Sequence, residues 1–255
     1  MVLAATLSGC GSLGQNVDET RSWTAAKLYA EARDEMTTGN FERAIEYFEK
    51  LESRYPFGTY AQQAQMEVAY AHYRQGDNAL ALAAVDRFIK LHPNHPNVDY
   101  MYYLRGLINF NDRVSFLNFL TKQDLSERDP KAAREAFDSF KQLVERFPNS
   151  VYAADSLARL NYLVNALAQH EVHVASYYYR RGAYLAAANR AQAAVQQYPE
   201  APAIEEGLYL LVRSYDALEM PQLRDDAERV LRTNYPDSVF FRGGPQRDDP
   251  WWKIW

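Results

Sequence analysis

Few side chains in this sequence are of a type and spacing that could do chemistry, and each group has a definite limit. His170-Glu171-Val172-His173 puts two imidazoles at i, i+3, where a helix lets them share a face. A protein zinc site needs a third ligand, and neither an HExxH pattern nor a nearby candidate supplies one. His92 and His95 flank Pro93 and Pro96 in what reads as a turn. No phosphate loop, dinucleotide fingerprint or nucleophile elbow occurs. The expectation is a protein without catalysis, metal or cofactor. One thiol remains, Cys10, the single cysteine of the chain, which cannot form an internal disulfide or a multi-cysteine metal framework.

The surroundings of Cys10 give it another use. The segment MVLAATLSG before it is apolar or small, and GSLGQNVDETRS from Gly11 onward is polar, as at the end of a secretion signal. Leu7-Ser8-Gly9-Cys10 resembles a bacterial lipobox, in which the cysteine becomes the first mature residue and carries lipid. A basic stretch ahead of the apolar run is missing, as it would be if the start were placed too late. A free thiol in a terminal segment is the alternative. Acyl chains on Cys10 would bury tens of CH₂ groups at about 0.8 kcal/mol each, a permanent anchor. Further cysteines would be a liability in an oxidising compartment.

Bulk composition narrows the partners. The 28 basic and 33 acidic residues leave a net charge of −5, and no lysine- or arginine-rich face is present to track phosphates, which argues against nucleic acid. A hydrophobic content of 47% with 14% aromatic residues is ample for a packed core. No run of 18 apolar residues is present to span a membrane as a helix.

The elements that must position any site read as helices beyond residue 20. Five prolines follow a ring residue at the end of an apolar-periodic segment: Pro56, Pro93, Pro148, Pro199 and Pro236, spaced by 37, 55, 51 and 37. Twelve residues before them stand Ala44, Ala81, Ala136, Ala187 and, breaking the pattern, Arg224; five before stand Leu51, Phe88, Leu143, Ala194 and Leu231. A small residue lets two helices approach, a larger one fills the next layer, and proline ends the second helix. Gly39, Gly76 and Gly182 lie 17 residues before their prolines, where a turn between helices is required. The expected fold class is therefore all-α, a tetratricopeptide-repeat superhelix of about five helical hairpins. The 55-residue interval holds an insertion after Arg105-Gly106, with a helix restarting near Pro130. The 51-residue interval, with no Pro or Gly over 149–181, predicts an elongated helix.

With the repeats in register, RYPFGTYAQQAQ (54–65), DRFIKLHPNHPNVDYMYYLRGL (86–107), ERDPKAAREAF (127–137) and YYYRRGAYLAAANR (177–190) together resemble the BamD (ComL) family of outer-membrane assembly lipoproteins, over nearly the whole chain. The resemblance implies a lipid-anchored periplasmic scaffold of Gram-negative bacteria at the outer membrane. Implied partners are the POTRA domains of BamA, the accessory lipoproteins BamC and BamE, and unfolded outer-membrane β-barrel proteins. The competing reading is a tetratricopeptide lipoprotein that coordinates peptidoglycan or cell-division proteins. The insertion, the RYPFGTY segment and the long helix favour barrel assembly. Expected organisation is a signal remnant (1–9), lipidated cysteine and linker (10–22), repeats one to three with inserted loop 111–129 on the substrate side (23–128), later repeats on the BamA side (129–240) and an aromatic tail (241–255).

Repeat arrays bind on the concave face lined by their first helices. That stripe takes in Tyr29, Arg33 and Met36, then Gln63, Met66, Tyr70, Tyr73 and Arg74, then Tyr100, Tyr103, Leu107 and Phe110. Aromatics, methionines and arginines suit an extended peptide with aromatic side chains and a free carboxylate, such as the end of a barrel strand. Ordinary packing between repeats is the alternative for each. Phe57, Gly58 and Tyr60 border this region in the family and also make a stop-and-turn. By the same resemblance Arg190, in AANR, matches a position that contacts BamA, with Tyr184 on the turn into the same helix. Phe116, Leu117, Phe119 and Leu120 form an apolar patch in the insertion, and Trp251, Trp252 and Trp255 cluster in the tail; a cap, a partner contact or a lipid contact remain open for these.

Overall fold

A computed structural model of the chain describes residues 18–110 and 131–242. Cys10, the insertion's apolar patch and the tail tryptophans lie outside the described residues. The described residues are all-helical, without a strand, and form ten α-helices. These are α1 (Ala25–Thr38), α2 (Phe41–Arg54), α3 (Thr59–Gln75), α4 (Asn78–Leu91), α5 (Val98–Asn109), α6 (Lys131–Arg146), α7 (Ala153–Arg180), α8 (Tyr184–Gln197), α9 (Ile204–Ala217) and α10 (Pro221–Asn234). The expected long helix is α7, at 28 residues.

The proline register has a direct structural counterpart. The helices α2, α4, α6, α8 and α10 each end two residues before their proline. In each, the ring residue's N–H closes the last turn onto the carbonyl five before the proline: Tyr55 to Leu51 (2.8 Å), His92 to Phe88 (2.8 Å), Phe147 to Leu143 (2.8 Å), Tyr198 to Ala194 (2.9 Å) and Tyr235 to Leu231 (2.8 Å). Proline then has no N–H to continue the ladder. Ala44, Ala81, Ala136 and Ala187 are fully buried, as the close approach of helices requires. Arg224 breaks the pattern by reaching across from α10 to Asp216 on α9 at 3.1 Å.

The turns share one geometry. Gly39, Gly76 and Gly182 have φ of +83°, +86° and +74°, the left-handed conformation open to glycine. At each, the glycine N–H bonds the carbonyl three residues back and the next N–H bonds the one five before it, as in Gly39 to Met36 (3.2 Å) and Asn40 to Glu35 (2.9 Å). Glu219 occupies the same place in the last hairpin at φ 57°, with Glu219 to Asp216 at 3.1 Å and Met220 to Tyr215 at 3.0 Å.

Contacts divide the chain into two compact units at Asp77/Asn78. The first holds α1–α3 around Leu28, Ala32, Phe48, Leu51, Ala61 and Ala64. Ahead of α1, a 3-10 turn (Glu19–Ser22) is clipped onto α2: Arg54 donates to Asp18 and to the Thr20 carbonyl, and Lys50 Nζ lies 3.5 Å from Asp18. In the second unit, α4 to α10 pack successively. Gly106 of α5 lies against the buried Phe140 ring of α6, where an added Cβ would stand 2.4 Å from a ring carbon. After α10, Phe240 stacks on Tyr209 at 4.8 Å, closing the last hairpin.

Candidate binding sites

In the first unit, α1 and α3 present the predicted stripe. Gln63, Met66, Tyr70 and Tyr73 fall at i, i+3, i+7 and i+10 on α3, hence on one face. An open cavity of about 470 Å³ is bounded by Arg33 and Met36 of α1, Phe41 at the start of α2, and Tyr70 and Arg74 of α3, with Thr37 and Thr38 at its edge. Met36 also belongs to the core, so it serves as a wall rather than a free side chain.

The two arginines of the cavity are not equivalent. Arg33 Nη1 pairs with Glu67 Oε1 at 2.5 Å. Burial pushes the Glu67 carboxyl up, and Arg33 opposes that shift. Arg74 lies over Phe41 at 5.0 Å and Tyr70 at 5.6 Å, and its Nη1 donates to the Tyr70 hydroxyl at 2.8 Å. Among the described residues no carboxylate pairs with it. The cavity thus has aromatic walls and one cation whose charge is not cancelled locally. Stacking on aromatic faces holds that guanidinium flat and leaves its edge for an acceptor.

Other predicted residues stand apart from this cavity. Tyr29 packs on Phe48 (5.7 Å) and Tyr60 (5.5 Å). Phe57 is 92% exposed on the α2–α3 loop, beside Gly58 at φ +101°. It does not line the cavity.

The second unit gathers Tyr100, Tyr103 and Phe110 around the start of α7. Tyr103 stacks on Tyr152 at 4.7 Å, and Tyr100 lies 5.6 Å from the same ring. The Tyr103 hydroxyl donates to Asp155 Oδ2 at 2.8 Å, which also accepts from Arg159 Nε at 2.7 Å. Burial and then Asp155 push the Tyr103 phenol up to about 12. Arg159 continues over Phe110 at 4.8 Å, and Phe110 meets Tyr162 edge-on at 5.8 Å. The result is an aromatic shelf fixed by one shared carboxylate.

Arg190 has a partner that its local sequence does not announce. Its Nη1 lies 3.0 Å from Oε2 of Glu171, while Arg134 Nη2 reaches Oε1 of the same carboxylate at 2.7 Å. Glu171 is 3% exposed, whereas the two arginines are 47% and 48% exposed. Glu171 is therefore turned into an ion cluster between α6, α7 and α8, away from any role as the middle of a metal pair. Among the described residues no group of three His, Cys, Asp or Glu converges as a metal site. Tyr184 lies against Tyr179 at 5.3 Å. Six positions along α8 from Arg190, it is turned about 240° at 100° per residue, so the two do not share a face.

Phe41, Glu67, Arg134 and Glu171 were not among the residues singled out for binding. The usable signal is separation: Arg33–Glu67 and Arg134–Glu171 are 34 and 37 residues apart, about one repeat length, the distance over which a helix of one hairpin meets a helix of the next.

Comparison with known proteins adds a family. A family model described as YfiO, outer membrane lipoprotein, matches residues 21–230. The outer membrane protein assembly factor BamD of Neisseria meningitidis serogroup B is 50% identical over 257 residues, covering 99% of this chain and 96% of the relative. The protein of the same name from Xylella fastidiosa is 39% identical over 246 residues, covering 95% and 83%. Among solved structures, that of MamA has a TM-score of 0.38 at 15% identity, covering 84% of this chain and 97% of that one.

Proposed function

The chain belongs to the YfiO family of outer membrane lipoproteins, and from that premise we propose that it is a non-enzymatic scaffold of outer-membrane β-barrel assembly. In this reading Cys10 carries the lipid that holds it to the periplasmic face of the outer membrane. The first unit receives the C-terminal segment of an unfolded barrel protein, and Arg190 contributes to the contact with a POTRA domain of BamA. BamC and BamE are the further lipoprotein partners, and no nucleic acid is bound.

The observation that carries the substrate reading is the cavity at α1–α3. Its walls, Met36, Phe41 and Tyr70, accept an aromatic side chain. Arg74, held flat on two rings and without a carboxylate of its own among the described residues, meets a terminal carboxylate. Arg33 is already neutralised by Glu67 and serves as wall. A scaffold of this kind needs orientation and modest affinity rather than a reacting group.

Fluorescence anisotropy with a peptide that alternates apolar residues and ends in a free aromatic residue tests this. Amidation of the peptide terminus and Arg74→Ala should each weaken binding about tenfold, and should not add, since both remove the same contact. Equal binding of acid and amide peptides would refute the assignment. Purification from membranes in mild detergent tests the wider reading: a POTRA-bearing barrel protein should co-purify in near-equal amount. Recovery of peptidoglycan or division proteins in its place would overturn it.

A further inference from the structure

The last described turn, Val239–Arg242, delivers the chain to an exposed arginine that has no acid. We propose that the segment following this turn is a ligand for its own last hairpin: the Asp248-Asp249 pair docks on Arg213 of α9, and Trp251 and Trp252 pack on the rings beside it. This goes beyond the assembly reading above and does not depend on it.

The docking surface is a row of rings with one cation in it. Tyr184 at the start of α8 meets Tyr179 of α7, the Arg213 guanidinium lies 5.6 Å from the Tyr179 ring and 5.8 Å from that of Tyr209, and Phe240 stacks on Tyr209 with planes 24° apart. Arg213 Nη1 donates to the Tyr209 hydroxyl at 2.9 Å, which leaves most of the planar fork for other acceptors. Among the described residues no carboxylate pairs with Arg213, and Asp216, one turn further along α9, is taken by Arg224. Arg74 has the same construction, with a tyrosine hydroxyl four residues back at 2.8 Å and two rings under its guanidinium. A cation already restrained on rings loses little rotamer freedom when it meets a carboxylate.

The course of the chain selects the occupant. Phe240 is itself part of the row, and the described chain stops two residues later at Arg242. Asp248 follows Arg242 by six residues, which reach about 20 Å when extended, several times the ring-to-cation distances in the row. Gly243-Gly244-Pro245 is a turn-favouring sequence, as a return to the row requires. Beyond the acidic pair stand three of the chain's four tryptophans, the side chain that gains most from stacking on a guanidinium. A tether this short supplies a local concentration on the order of millimolar, so a weak pairing is enough to keep the segment docked.

Acrylamide quenching of tryptophan fluorescence in the purified full chain tests the docking, with thermal melting of every variant followed by circular dichroism. Trp23, in the first unit, contributes equally throughout, so differences report Trp251, Trp252 and Trp255. Arg213→Gln should raise the quenching constant about twofold, and the tail variant Asp248→Asn/Asp249→Asn, which leaves every described contact in place, should raise it as much. Combining them should add nothing, since both remove the same pairing. Arg213→Lys keeps the charge without the fork and should fall between wild type and Arg213→Gln. Quenching equal to wild type in either the Arg213→Gln or the tail variant would overturn the proposal, as would additivity in the combined one. Protection that is lost on dilution would place the segment on a second copy, and protection seen only with added phosphatidylethanolamine–phosphatidylglycerol vesicles would place it at the lipid surface. Either result would overturn docking on its own hairpin.

Discussion

Replacing Gly106 by alanine tests the packing that sets the aromatic shelf. A Cβ at this position would stand 2.4, 2.6 and 2.7 Å from three carbons of the Phe140 ring. Carbon pairs settle near 3.5–4.0 Å, so ring or helix must give by about 1 Å. The ring cannot swing away, because Phe140 is fully buried against Ala136, Leu160 and Leu163. Overpacking of this kind costs about 1–3 kcal/mol, and three simultaneous overlaps place it in the upper part of that range. Alanine recovers about 1 kcal/mol as a better helix former than glycine. The expected net loss is about 1–2 kcal/mol, read as a lower urea midpoint at unchanged slope by circular dichroism. The same displacement moves α5, and with it Tyr103, away from Tyr152 and Asp155, so the near-ultraviolet tyrosine signal should fall. Phe140→Leu makes room, and the double variant should be at least ~1 kcal/mol more stable than the sum of the single losses predicts. A Gly106→Ala protein as stable as wild type, or additivity in the double variant, would refute the close approach of α5 and α6.

Three other perturbations have definite outcomes. Glu219→Gly relieves a left-handed backbone worth about 1–2 kcal/mol in a non-glycine residue and loses part of that to chain entropy, so the urea midpoint should rise by a net ~0.5–1 kcal/mol. Tyr103, with its phenol pushed up to about 12, should be a late-titrating tyrosine in an absorbance titration; its contribution to stability is present below the ordinary phenol range near 10 and is lost as pH rises through about 12, and Tyr103→Phe should remove that late step. Asp18 is held below the usual carboxylate range by its hydrogen bond to Thr20, with Arg54 and Lys50 adding to the effect. Its clip is therefore complete above the ordinary value of 3.8 and opens as pH falls through the lowered one, which the Thr20 amide resonance should follow.

How much of this was legible without coordinates depended on whether a contact repeats. The alanine and proline register carried through to five helix ends because it rests on local backbone chemistry and on a contact used in several hairpins. Where proximity comes from the rotational setting of two particular helices, no local pattern reports it, and Gly106 against Phe140 is such a case. Glu219 shows the other limit: a left-handed turn imposed by its hairpin on a residue whose side chain gives no hint of it. At the candidate sites, the residue types on the α1 and α3 stripe were readable, but the difference between Arg33 and Arg74 was not. It follows from Glu67, a carboxylate placed opposite one of them by the repeat. For Arg190 the sequence offers only a partner contact by resemblance, and its coupling to Glu171 means that Arg190→Glu would strain the fold as well as any interface.

The clip at Asp18 has a consequence for reach. If Cys10 carries lipid, only eight residues of sequence separate it from Asp18, where Arg54 and Lys50 hold the chain. Eight residues fully extended span about 28 Å. On that condition the first unit would stay within that distance of its membrane, where a leash this short would give a local concentration on the order of millimolar toward anything embedded beside it. Contacts too weak to assemble in free solution would be nearly saturated at that range, so lengthening the leash with neutral residues should weaken recruitment without altering a single interface.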